Sequence, residues 1–235
     1  MSAHLYLLPT PIAEHALATL PAQTLAVARG LDLFIAERAK TARHFLKAIG
    51  IERPLQEVQV AELPDNERFQ EAEAMLVEAA RRGRSVGLLS EAGCPGVADP
   101  GAVAVALAHR MGMRVVPLVG PSSLLLALMA SGMNGQQFAF HGYLSPKRPE
   151  LAADLRRLEQ QALRQAQTQL FIETPYRSQL VLDVALQTLR PDTRFAVAQD
   201  LTGASEWICS LQVRDWKQGP AVAVQKLPAV FLLGR

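Results

Sequence analysis

The sequence predicts an α/β protein of two domains, with a mainly parallel sheet in the first and a mixed sheet in the second. Three observations predict it. Short apolar runs of strand length recur through the first half, each followed by a helix-like stretch, the alternation that builds a sheet with helical crossovers. Those runs are apolar almost throughout, as strands covered on both faces are. In the second half the rhythm changes, and strand-like runs cluster towards the end, which suits a mixed or antiparallel sheet.

The elements follow in order. Leu5–Leu8, Leu31–Ala36, Val86–Leu89 and Val115–Val119 read as strands. Helical periodicity covers Arg38–Ile49, Glu67–Arg82, Val103–Met111 and Ser122–Ala130. The first three of these helices meet a glycine where they stop, at Gly50, Gly83 and Gly112. A linker over Ser131–Gln137, with Gly132, Asn134 and Gly135, divides a domain 1–134 from a domain 135–235. In the second domain Phe138–Phe140 and Leu170–Ile172 bracket a long helix, Arg148–Gln167, and another helix covers Tyr176–Leu189. Arg194–Ala198, Glu206–Leu211 and Val230–Leu233 then read as three strands with no helix between them.

Composition narrows the class. Of 235 residues, 49% are hydrophobic and 20% charged, which excludes a disordered, collagenous or disulfide-rich chain. The longest apolar run, Leu124–Ala130, falls far short of the ~20 residues that cross a bilayer, so no membrane segment is expected. The opening Met1-Ser2-Ala3-His4-Leu5-Tyr6 lacks the basic stretch of a secretory signal. Cys94 and Cys209 lie far apart, with no Cys or His at ligand spacing, and read as reduced thiols of a cytoplasmic protein. The formal net charge is +2. Up to Gly135 there are 12 Lys+Arg against 13 Asp+Glu, and beyond it 12 against 9. That small excess permits an anionic partner without demanding one.

In an open α/β sheet, ligands bind beyond the carboxyl ends of the strands. Three loops there are rich in Gly, Pro and small residues: Pro9-Thr10-Pro11-Ile12, the long stretch from Ser90 to Gly101, and Gly120-Pro121-Ser122-Ser123. Each alone could serve only to turn the chain. Three together point to a shared pocket, because such residues let backbone approach a ligand closely. The dinucleotide fingerprint, the Walker lysine loop and the Gly-x-Ser-x-Gly elbow are all absent. The five histidines do not pair at metal spacing. His44 and His109 fall in amphipathic helices and read as ordinary surface or satisfied polar residues.

At these loops the chain resembles the tetrapyrrole (corrin/porphyrin) methylase superfamily, and within it the RsmI-like ribosomal RNA small-subunit methyltransferases. The resemblance runs from Leu5 to about Gly234. It rests on Leu5 to Ile12, Ala36-Glu37, Asp65-Asn66-Glu67 and Val116 to Ser123, on Gly142-Tyr143-Leu144, and on Phe171 to Arg177. Its most specific stretch is Ser90-Glu91-Ala92-Gly93-Cys94-Pro95-Gly96 with Asp99-Pro100-Gly101. The chain departs from the branch at Ala13-Glu14, at Arg38-Ala39-Lys40 and at Gln199-Asp200-Leu201-Thr202-Gly203. The loops on the cofactor side are thus kept better than positions on the substrate side.

The resemblance implies two α/β domains with S-adenosyl-L-methionine in the cleft between them, usually in a homodimer. It implies methylation of a cytidine ribose 2′-hydroxyl in small-subunit ribosomal RNA. Other acceptors, or a catalytically silent cofactor-binding module, stand as alternatives. By position, the implied cofactor bed is Pro9, Thr10 and Pro11; Ser90, Glu91, Ala92 and Gly93; Val97, Ala98 and Asp99; and Ser122 and Ser123. Glu173, Pro228 and Ala229 come from the second domain. No metal is implied. A ribose hydroxyl profits from a base, and Glu37 is the implied one. Glu37 has a structural reading too, as a complement to the dipole of the helix it opens, and Asp99 has one as a cap. An RNA acceptor predicts a cleft ringed by Arg and Lys; a tetrapyrrole predicts a broad apolar one.

Overall fold

The computed structural model describes residues 3–63, 69–219 and 222–235. The chain forms two compact units, Met1–Ser122 and Ser123–Arg235.

The first unit carries a five-stranded parallel sheet. Its strands are β1 (His4–Leu8), β2 (Leu33–Ala36), β3 (Gln59–Glu62), β4 (Val86–Leu89) and β5 (Arg114–Pro117), in the order β3-β2-β4-β1-β5. Helices α1 (Ala22–Gly30), α2 (Ala39–Ala48), α3 (Phe69–Arg81) and α4 (Ala102–Arg110) cover both faces. Leu33, Ile35 and Leu88 pack with Leu76 of α3 and Leu107 of α4. Phe34, Ala36 and Leu89 pack with Ala28 of α1 and Phe45 and Leu46 of α2. Two covered faces are the reason β2 and β4 are buried at every position and read as unbroken apolar runs.

Two elements of this unit lie outside the sequence expectation. Strand β3 is short and half polar, and α1 carries no clear apolar stripe. Both take their place from pairing and packing on the sheet rather than from local pattern. The expected helix start at Asp65-Asn66-Glu67 lies outside the described residues.

The second unit opens with α5 (Ser123–Ser131). Its sheet comprises β6 (Phe138–Tyr143), β7 (Thr168–Glu173), β8 (Arg194–Gln199), β9 (Trp207–Gln212) and β10 (Ala229–Gly234), in the order β6-β7-β10-β8-β9. Only β6 and β7 run parallel; the other pairs are antiparallel. Helices α6 (Arg148–Gln165) and α7 (Ser178–Thr188) pack over a core of Phe171, Phe195 and Phe231, whose rings lie 5.4 and 6.0 Å apart in successive pairs. Helix α5 packs against β8, β9 and β10, and Ser210 Oγ of β9 donates to its last carbonyl, Ser131 O, at 2.6 Å.

The expectation of three final strands without a helix is corrected. A six-residue helix, α8 (Val213–Gln218), stands between β9 and β10. It is too short to persist on propensity alone. Tertiary bonds hold it: Val213 N donates to Thr193 O at 2.9 Å, and Trp216 Nε1 donates to Phe195 O at 2.9 Å.

Candidate functional site

Strand order decides what the loops of the first unit can do. β1 lies between β4 and β5, so the loops leaving these three strands are neighbours. They are the three small-residue loops singled out in the sequence.

The loops are bonded to one another. Thr10 and Gly93 exchange backbone hydrogen bonds, at 3.0 Å from Thr10 N–H to Gly93 O and 3.1 Å in return. Ser90 is buried, and its hydroxyl donates to Gly93 O at 2.6 Å. Thr10, also buried, donates its hydroxyl to Ser90 O at 3.2 Å. The Cys94 thiol donates to Pro121 O at 3.4 Å, and burial pushes that thiol above its ordinary pKa, which favours the protonated form.

Two glycines make this closure possible. Gly93 has φ +76°, and an added Cβ would meet Ile12 Cγ2 at 3.2 Å and Pro121 O at 3.4 Å. Its freedom is used to knit the loops together. At Gly120 an added Cβ would fall 2.2 Å from Pro9 Cβ, so the first loop lies directly on the third.

Beside these loops lies a cavity of about 350 Å³ within the first unit. One part of its lining is Thr10 to Ala13 with Ser90, Glu91 and Ala92. Another is a face of α2, with Thr41, Ala42, His44, Phe45 and Ala48, positions at helical spacing on one side. No Lys or Arg lines it. Among the described residues, Glu91, Thr41 and His44 take part in none of the side-chain hydrogen bonds or ion pairs found.

The expected site residues divide. Thr10, Pro11, Ser90, Glu91 and Ala92 line the cavity. Pro9 and Gly93 lie just behind, in the contacts above. Val97 and Ala98 are exposed further along the loop after β4, with Ala98 at φ +56°. Asp99 is engaged within its own loop: Oδ1 accepts from Gly101 N at 2.7 Å and from Gly96 N at 3.0 Å. Ser122 ends the first unit and Ser123 begins α5. Glu37 follows β2 and is half-buried, but it does not line the cavity. The carboxylate at the α2 N-terminus is that of Glu62, whose Oε1 accepts from Ala39 N at 2.7 Å. Sequence reading missed Glu62 because β3 itself was not legible.

In the second unit, Glu173 and Ala229 face each other across β7 and β10, and Ala229 also pairs with Gln199 of β8. Pro228 directly precedes Ala229 and accepts from Asp200 N at 3.0 Å. Glu173 is buried and held by Arg177 Nη1 at 3.1 Å and Thr174 N at 2.7 Å. Gln199 accepts from Gln225 N at 3.1 Å and donates to Gln225 O at 2.6 Å, pinning the chain ahead of β10. That chain presents Lys226, whose Nζ lies 5.9 Å from the centre of the exposed Tyr176 ring, within reach of a cation–π contact.

A family model described as Tetrapyrrole (Corrin/Porphyrin) Methylases matches residues 4–214. Curated relatives carry the name Ribosomal RNA small subunit methyltransferase I. That of Neisseria meningitidis serogroup A is 33% identical over 206 residues, 88% of this chain and 66% of its own. That of Mesorhizobium japonicum is 37% identical over 204 residues, 86% of this chain and 65% of its own. The chain thus spans just under two thirds of the length of these relatives. Among solved structures, the methyltransferase CobJ superposes with a TM-score of 0.64 at 18% identity, covering 100% of this chain and 95% of its own. Uroporphyrin-III C-methyltransferase from Thermus thermophilus, complexed with S-adenosyl homocysteine, gives a TM-score of 0.54 at 17% identity, covering 99% and 98%.

Proposed function

The chain belongs to the tetrapyrrole (corrin/porphyrin) methylase family, and from that premise we propose that it is an S-adenosyl-L-methionine-dependent methyltransferase acting on a ribose 2′-hydroxyl of small-subunit ribosomal RNA. The observation that carries the reading is the hydrogen-bonded meeting of the loops after β1 and β4, with the loop after β5 packed on them, beside a cavity that the first two loops line. Relatives at 33 and 37% identity named for small-subunit RNA methylation support the acceptor.

The residues fit the cofactor. The cavity beside the loops has no Lys or Arg in its lining and carries the carboxylates of Glu14 and Glu91, which suits a positively charged sulfonium. Bound against these loops, with only its methyl end at the cavity, the cofactor would supply an electrophilic methyl group. Pro9 to Pro11 and Ser90 to Gly93 form the first part of its bed, with Val97, Ala98 and Ser122 continuing it. Ser123, Glu173, Pro228 and Ala229, all in the second unit, are carried over from the resemblance as further cofactor residues.

The chain's task is to hold the hydroxyl in line and keep water out. Proton removal belongs to a carboxylate at these strand ends. Glu37 is the sequence candidate; Glu91 is the second reading, favoured by its place in the cavity lining. The exposed Tyr176 ring with Lys226 beside it offers a surface on which an unpaired base stacks. The cavity itself is not ringed by Arg and Lys, so phosphate contacts lie elsewhere. We place the protein in the cytoplasm as a homodimer, with Leu125 and Met129, exposed and one turn apart on α5, as apolar surface for a second copy. Among the described residues, no helix is long and apolar enough to cross a membrane.

The test is calorimetric titration with S-adenosyl-L-methionine, followed by transfer of labelled methyl to small-subunit RNA. The expected result is saturable binding and label at a ribose. Glu37→Gln and Glu91→Gln identify the base, which on substitution loses about 10²–10⁴-fold in kcat; cofactor affinity is retained in Glu37→Gln and falls in Glu91→Gln, whose carboxylate faces the sulfonium. Failure to bind the cofactor would remove the reading. Binding without transfer to any acceptor would leave a silent module.

A further inference from the structure

We propose that the α2 wall of the 350 Å³ cavity is a base pocket: it receives the unstacked nucleobase of the nucleotide to be methylated. The inference rests on the RNA reading above and names the part of the substrate that the cavity takes.

The chemistry of the lining selects the occupant. Ala42, Phe45 and Ala48 of α2, with Ile12 and Leu17, give an apolar surface. Glu14 and Glu91 are the acidic groups in the lining, which contains no Lys or Arg. A phosphate is repelled there, and so is a macrocycle carrying carboxylates. An uncharged flat ring is not. Thr41 and His44 are exposed on the same helix face and border the cavity; each has hydrogen-bonding capacity to give to a base edge. The volume falls near the lower end of the ~300–1,000 Å³ of small-molecule sites, enough for one nucleoside and too little for a tetrapyrrole with room to turn.

The position agrees. The lining joins Ser90, Glu91 and Ala92, assigned to the methyl donor, with α2 in one concavity. A base seated against α2 therefore leaves its ribose near the transfer site. Enzymes that act on one nucleotide of a folded nucleic acid extrude it from the stack and hold its base in such a pocket. Ala13 and Glu14, where this chain departs from the branch it resembles, line the same cavity, and Arg38-Ala39-Lys40, a second departure, open α2 ahead of its lining residues. His44, which reads from sequence as plain surface, becomes a positioning residue for the acceptor.

Two variants and one titration test this. Ala48 is exposed on α2 and lies outside the cofactor loops, so Ala48→Trp fills the pocket without disturbing a buried position. The expected result is a wild-type circular dichroism spectrum, cofactor affinity within twofold of wild type, and at least a tenfold rise in KM for small-subunit RNA. His44→Ala is expected to raise KM several-fold with kcat little changed. Wild-type KM in Ala48→Trp would overturn the proposal. So would parallel loss of cofactor binding, which would give the whole cavity to the donor. Independently, cytidine at millimolar concentration, with S-adenosyl homocysteine present, is expected to shift amide resonances of Thr41 to Ala48. The absence of those shifts overturns the pocket. Their presence without methyl transfer to RNA keeps the pocket and rejects the RNA reading instead.

Discussion

Gly120 and Pro9 meet so closely that neither can change alone. A methyl group at position 120 would overlap the Pro9 ring, and a proline ring has no rotamer by which to yield. Gly120→Ala should therefore cost about 1–3 kcal/mol, as overpacking does, and should weaken cofactor binding by pushing the first loop off the third. Urea unfolding and calorimetry check both; an unchanged midpoint would show that the loops part freely. Gly93 makes a different point. From sequence its missing side chain offered backbone to a ligand. In the structure the same absence lets Ile12 and Pro121 close over it at a positive φ. The residue type was readable; what it touches was not. Asp99 reads from sequence as cofactor bed or as a helix cap; in the structure its Oδ1 accepts from Gly96 N and Gly101 N, closing its own loop, and α4 carries no side-chain cap bond.

At the scale of elements, the turn after α7 shows how one buried side chain can hold a connection. Glu159 of α6 is buried, and its Oε1 accepts from Arg190 N at 2.8 Å and from Thr193 Oγ1 at 2.5 Å. Glu159→Leu leaves both donors unsatisfied and should destabilise the protein by about 1–3 kcal/mol, with Glu159→Gln recovering part of the loss. Chemical denaturation of the three proteins is the measurement; equal stability of Leu and wild type would mean that water replaces the carboxylate. The elements legible in the sequence were those with their own signal. β2 and β4 are apolar runs, and α2 and α4 are each followed by a glycine two residues on, Gly50 and Gly112. β3, α1 and α8 have no such signal. They exist because a neighbouring strand, a sheet face or a carbonyl such as Phe195 O completes them.

For the whole molecule, charge is modest and uneven, with its positive excess beyond Gly135. If RNA is the acceptor, its affinity should fall linearly in log K against log salt, as counterion release requires. Cofactor affinity should hardly change, since the cavity lining contains no Lys or Arg. Filter binding across a salt series, beside calorimetry, separates the two. A flat RNA response would remove phosphate contacts from the account. Each unit keeps its own apolar core: one unit has a layer on either face of a parallel sheet, and the other is built around stacked phenylalanines.

The sequence by itself determined the two α/β halves, the parallel and mixed character of their sheets, and the three loops rich in Gly, Pro and Ser. Covered strands must be apolar, and closely packed backbone tolerates few residue types, so both leave a local mark. Only the tertiary structure decided that β1 stands between β4 and β5, that Glu62 rather than Glu37 bonds the first amide of α2, and that Thr41, His44 and Ala48 border a cavity. Those facts depend on which strand lies beside which, and strand order is set by packing between distant segments, which no local pattern of residues encodes.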